Sequence, residues 1–253
     1  MERRFKLVLE YDGSDFIGWE VQRVGRSIQG EVEAALARIL QDPVRVAVSG
    51  RTDAGVHAEG QVAAFTTSSD RSTDRIRDGL NAVLPLDVAC REVQQVSLDF
   101  DPRRQARTKH YRYRWLDSRV RSPLRRGRVW QVRRSLDVDA MAEACTCFEG
   151  THDFSAFRAS GCGARSTVRT FPAWSLRRVG DEIWLDAFGQ GFLRHTLRIV
   201  AGTLVEVGRG ARPPSWVAEV LRSGSRAMAG PTAPAHGLTL IEVRYEALGP
   251  ERS

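Results

Sequence analysis

One carboxylate in this chain is set apart by its surroundings. Asp53 lies in Ser49-Gly50-Arg51-Thr52-Asp53-Ala54-Gly55-Val56-His57-Ala58, two positions after Arg51 and between Gly50 and Gly55, with Gly60 just beyond. Glycines let the backbone take positive φ and approach a ligand closely. An adjacent cation favours the ionised form of a carboxylate. An ionised loop carboxylate suits a nucleophile or a base and is poorly suited to be a general acid. The same residue types also make an ordinary turn with a surface ion pair, so the types alone do not choose.

The other reactive residues offer less. His57, His110, His152, His195 and His236 show no metal-ligand spacing, and His57 reads as a structural hydrogen bonder. Cys90, Cys145, Cys147 and Cys162 form no C-x-x-C pair and read as reduced thiols of a cytoplasmic protein. A zinc set of Cys145, Cys147, His152 and Cys162 fits no common template. No phosphate-binding loop or dinucleotide fingerprint occurs, so neither metal nor cofactor is expected.

The chain has 253 residues, 42% of them hydrophobic, and a net charge of +7. It is long enough for one large core or two small ones. No apolar run approaches a membrane span of about 18 residues, and the opening Met1–Phe5 runs straight into a strand pattern rather than a secretory leader. Of 38 basic residues only Lys6 and Lys109 are lysine. Arginine's planar fork suits phosphate and stacks on bases. Arg103, Arg104, Arg107, Lys109, Arg112 and Arg114 interleave with Tyr111, Tyr113 and Trp115, and seven more arginines lie between 119 and 134. Phosphate contacts beside stacking faces point to single-stranded or looped nucleic acid.

The elements that must position these groups follow from periodicity. Phe5, Leu7, Leu9 and Tyr11 alternate as a strand, and Ser27 caps a helix burying Ile28, Val32, Ala35, Leu36 and Ile39. Strands at 44–48 and 61–66 flank the Asp53 loop. A helix over 73–83 stops before Pro85, and a strand at 88–96 completes β-α-β-β-α-β. The order recurs in a strand at 110–116, a basic loop to about 134, a helix capped by Asp137, and a hairpin of 170–178 with 182–187. A long helix from about 191 to 207, a short one near 215–221 and a strand at 238–245 complete it. The expected class is α+β: two ferredoxin-like halves, 1–105 and 106–253, forming a continuous, mainly antiparallel sheet with helices on one side and a central basic cleft.

Longer strings narrow the reading. GRTDAGVHA followed by GQVAAF resembles the signature of the tRNA pseudouridine synthase A family. Tyr11-Asp12-Gly13 with Gly18-Trp19, Leu80-Asn81 with Leu84-Pro85, Lys109 to Tyr113, Gly150 with His152-Asp153-Phe154, Phe192-Leu193 with Leu197-Arg198, and Ala233-Pro234-Ala235 with Gly237-Leu238 resemble further blocks of it. They run from residue 11 to 245. Glu20, Asp101 and Leu197 depart from the family's usual residues, the first two adding negative charge near an expected phosphate path.

The resemblance implies the pseudouridine synthase fold and isomerisation of uridine at positions 38 to 40 of the tRNA anticodon stem-loop. It implies a homodimer and no cofactor. It assigns Asp53 as nucleophile, Tyr111 as the tyrosine stacked on the uracil and the proposed acceptor of its C5 proton, Arg198 as partner of Asp53, and Leu238 as packing on the base. Arg51 would pair with Asp53 or brace the nucleotide. Two other readings stay open: a non-catalytic RNA-binding module, and a glycosidase, which ordinarily uses two carboxylates.

Overall fold

In the first strand, every second residue turns into a core. In β1 (Arg3–Tyr11) Phe5, Leu7, Leu9 and Tyr11 are buried, and each fully buried side chain of this size contributes about 2 kcal/mol. The computed structural model describes residues 1–245, which form two compact units, 1–109 with the chain from 240 onward, and 110–239.

Ser27 caps α1 (Ile28–Leu40) by accepting from the Gly30 amide, and Ile28, Val32, Ala35 and Leu36 face inward. The strand expected at 44–48 shortens to β2 (Ala47–Val48). The reason is local: the Val46 amide leaves the ladder and donates to Glu33 Oε1 at 3.1 Å. β3 (His57–Thr67) is longer than expected, because its first residues keep pairing β1, Ala58 opposite Tyr11. The helix over 73–83 forms as α2 (Thr73–Val83), capped by Ser72. Asn81 then pins it to β4 (Val88–Val96), donating to and accepting from the Cys90 backbone. β1 pairs antiparallel with β3 and with β4, and β2 pairs antiparallel with β3. The order β4-β1-β3-β2 is that of a split βαβ unit.

β5 (Thr108–Asp117) leads into the second unit. The stretch expected to be loop up to 134 contains β6 (Trp130–Val132), paired parallel to β5 with Trp130 opposite Trp115. Asp137 caps α3 (Val138–Cys145) as expected. The strand expected over 170–178 is broken at Pro172, which has no amide to donate. On one side is β8 (Val168–Phe171), paired with the unanticipated β7 (Gly150–Asp153). On the other is β9 (Ala173–Val179), forming the expected hairpin with β10 (Glu182–Gly189). Its turn holds Gly180 at φ +62°. Phe148, Phe154, Phe157, Phe171 and Trp174 pack ring against ring as this unit's aromatic core.

The long helix starts five residues later than expected. His195 takes a left-handed conformation at φ 63°, so α4 (Thr196–Gly208) begins after it, with Arg198 in its first turn. α5 (Trp216–Ser223) follows, then β11 (Leu238–Arg244). From residue 240, β11 belongs to the first unit, where Gly60 of β3 lies so close that a Cβ there would stand 2.6 Å from the Ile241 carbonyl oxygen. The class is α+β with mainly antiparallel strands, as the periodicity indicated.

Candidate active site

In the first unit, the Asp53 loop is held from every backbone direction. Thr52 O accepts from the Trp19 amide at 3.1 Å, and Asp53 bridges Gly18 as an isolated antiparallel pair. Asp53 O then accepts from Val56 N at 3.1 Å, closing a turn whose third residue, Gly55, sits at φ +77°. Gly18 must be glycine, since a Cβ there would stand 2.8 Å from the Thr52 carbonyl oxygen, at a φ of +110°. The Asp53 side chain is half-buried, open enough to meet a ligand.

Beneath the loop runs a buried polar network. Gln61 accepts from Ser49 Oγ at 2.8 Å and donates to Gly50 O at 2.9 Å and to the Tyr11 hydroxyl at 3.3 Å. Tyr11 and Thr52 share a hydroxyl hydrogen bond of 2.8 Å. Burial pushes the Tyr11 phenol up to about 12, so it remains a neutral donor and acceptor rather than a base. His57 is fully buried, and its Nδ1 accepts from the Gly13 amide at 3.1 Å. The Asp12 carboxylate lies 3.1 Å from the same nitrogen. That nitrogen cannot both accept from the amide and donate to the carboxylate, and the amide can only donate, so the accepting tautomer is the consistent one. This is a structural role, as the sequence indicated.

Arg51 is exposed, and its Nη2 lies 2.6 Å from Glu20 Oε1. Glu20, one of the two acidic departures, is thus the partner of an arginine in the loop. Asp101, the other, caps a turn by accepting from the Arg103 and Arg104 amides at 2.8 and 2.9 Å. These amides, Arg104's first, hold its carboxyl below the usual range.

In the second unit, Tyr111 is buried and meets Phe192 edge-on at 5.2 Å. Phe192 stacks on Phe171 at 4.8 Å. Arg198 is half-buried, and its Nε donates to Ala233 O at 2.9 Å while Ala233 N donates to Arg198 O. The strap that supplies this carbonyl approaches α4 at Gly202, where a Cβ would stand 1.8 Å from Pro231 O. The next carbonyl on the strap, Pro234 O, accepts from Tyr113 at 2.9 Å. Tyr113, unassigned from sequence, is thereby a fixture of the strap, and burial drives its phenol well above the usual range. Leu238 is buried at the start of β11.

The second unit also holds a charge cluster that sequence reasoning missed. Asp186 is buried and receives His110 Nε2 at 2.6 Å, Arg112 Nε at 2.8 Å and Arg177 Nη1 at 3.0 Å. Arg112 lies over the Trp184 ring at 4.0 Å. Alternation placed Arg112 opposite Tyr111 and Tyr113, but nothing in sequence pointed to a carboxylate 74 positions away. Among the described residues no group of three or more histidine, cysteine or acidic side chains stands as a metal set, and no helix is long and apolar enough to cross a membrane.

The model of one protein family, described as tRNA pseudouridine synthase, matches residues 7–103 and 144–246. The chain belongs to the tRNA pseudouridine synthase family. The first matched segment takes in the Asp53 loop and its Gln61 network, and the second takes in Arg198, its strap and Leu238. A protein from Geotalea uraniireducens named tRNA pseudouridine synthase A is 48% identical over 243 residues, covering 96% of this chain and all of that protein. One of the same name from Myxococcus xanthus is 50% identical over 251 residues, 99% of this chain and 95% of its own. Family members of this similarity extend to Geobacter sulfurreducens, at 48% identity over 243 residues.

Proposed function

We propose that this protein is a tRNA pseudouridine synthase acting on uridines at positions 38 to 40 of the anticodon stem-loop, with Asp53 as nucleophile. The reaction breaks the N1–C1′ bond, keeps and turns the uracil, joins C5 to C1′, and releases the C5 proton. Atoms and electrons balance within the substrate, so no oxidant or reductant is consumed. The observation that carries the reading is a half-buried carboxylate on a backbone pinned at Thr52, Asp53 and Val56. A nucleophile held this way loses little freedom on reaching its target.

In this reading Tyr111 stacks on the extruded uracil and accepts the C5 proton, Leu238 packs on the base, and Arg198 is the cation for Asp53. The Ala233 carbonyl accepts from the Arg198 Nε and so fixes the orientation of the guanidinium. Arg51 braces the nucleotide backbone. Extruding the base costs a few kcal/mol, offset by phosphate contacts from exposed arginines such as Arg119, Arg121, Arg126, Arg133 and Arg134. The enzyme works in the cytoplasm as a homodimer.

The test is tritium release from unmodified tRNA labelled at uridine C5. Wild type releases tritium and retains the base. Asp53→Asn binds tRNA but releases none, and Tyr111→Phe keeps binding while turnover falls. Binding without release by the wild type would make the protein an RNA-binding module. Free uracil would make it a glycosidase.

A further inference from the structure

Lysine stands at only two places in a chain that otherwise uses arginine. Lys6 is half-buried on β1, whereas Lys109 is buried at the start of β5. The Lys109 Cε and Nζ lie 3.4 and 3.5 Å from where a Cβ on Gly50 would stand. Its ammonium is therefore placed against the backbone at the head of the Asp53 loop, at the peptide whose carbonyl Gln61 holds. Burying an ammonium is costly, and packing alone would be served better by leucine or methionine. Burial, followed by the charge of Arg103, draws the Lys109 pKa down to about 8.

We propose that Lys109 is a positioning residue for the reaction, its compact ammonium fixing the loop at Gly50 and setting the local field in which the Asp53 carboxylate works. The inference rests on Asp53 being the nucleophile. It assigns work to a residue outside the Asp53, Arg51, Tyr111, Arg198 and Leu238 set.

Two lysines give two signals when the protein is grown on lysine labelled with ¹³C at Cε. Asp53→Asn should move the Lys109 signal at fixed pH and leave that of Lys6 in place. In single-turnover assays with saturating tRNA, Lys109→Met should lower the rate by about tenfold or more while tRNA affinity stays within about twofold. Lys109→Gln serves if the Met variant does not fold, and the spectroscopic arm leaves Lys109 intact. An unmoved Lys109 signal, a wild-type rate in the variant, or a loss lying wholly in tRNA affinity would each overturn the proposal. Tritium release retained by Asp53→Asn would instead remove the nucleophile reading, an outcome read on a different variant.

Discussion

Arg51 Nη2 and Glu20 Oε1 stand 2.6 Å apart, so the cation two residues before Asp53 is already engaged by a carboxylate on the neighbouring loop. Both side chains are largely exposed, and such a pair contributes under about 1 kcal/mol. A phosphate can displace Glu20 at little cost. Glu20→Gln should therefore leave Tm nearly unchanged and tighten tRNA binding, whereas Arg51→Gln should weaken binding and reduce its salt slope by about 0.7 for one lost contact to an unpaired strand. Filter binding across a salt series reads this directly. An unaltered slope would show that Arg51 makes no phosphate contact.

Gln61 spends its whole amide on the floor of the loop, so its replacement should affect stability and turnover together. Gln61→Leu strips a partner from Ser49, the Gly50 carbonyl and Tyr11. Leaving such buried groups unsatisfied costs about 1–3 kcal/mol each, so a total loss of several kcal/mol is expected. Tyr11→Phe removes one hydroxyl, bonded to Thr52 and Gln61, while Gln61 keeps Ser49 and the Gly50 carbonyl, and should cost about 1–2 kcal/mol. Urea unfolding gives both numbers. Equal costs for the two variants would mean that the network does not converge on Gln61.

These two residues also mark where sequence stops being legible. Alternation in β1, and the caps Ser27, Ser72 and Asp137, were readable because each signal lies within a few residues of what it determines. The Asp53 loop was readable as a string for the same reason. The role of Gln61, which stands in the GQVAAF string, was not, since its acceptors include a backbone carbonyl and a tyrosine 50 positions away. Ala233 was invisible as the holder of Arg198 because a carbonyl carries no sequence signature. The late start of α4 came from one left-handed residue, His195, inside an apolar run that periodicity extends too far. β6 was missed because three residues show no period at all.

Six of the seven arginines between 119 and 134 divide into two kinds, and the division predicts their effect on RNA binding. Arg125 is occupied, with Nη2 2.7 Å from Asp181 Oδ2 and Nη1 3.3 Å from Glu182. Arg119, Arg121, Arg126, Arg133 and Arg134 are exposed. Alanine at any of these five that contacts the anticodon loop should reduce the salt slope by about 0.7, whereas Arg125→Ala should leave the slope in place. A reduced slope for Arg125→Ala would mean that its ion pairs open on binding RNA.

Lys109 makes folding stability depend on pH with a definite sign. Its folded pKa of about 8 lies below the ordinary 10.5, so between those values the unfolded chain binds more protons. Stability therefore rises with pH through that window, by up to about 3 kcal/mol at about 1.4 kcal/mol per pKa unit. Burial raises the acids Tyr11, Cys90 and Cys145 to about 12, and such groups lose stability as pH climbs past their ordinary 9 to 10. Subtracting the unfolding free energy of Lys109→Met from that of the wild type at each pH cancels these opposing contributions. The difference should be flat below pH 7, climb in favour of the wild type from about pH 8, and level off beyond 10.5. A difference that stays flat from pH 7 to 11 would place the Lys109 ammonium in ordinary solvent rather than under the loop at Gly50.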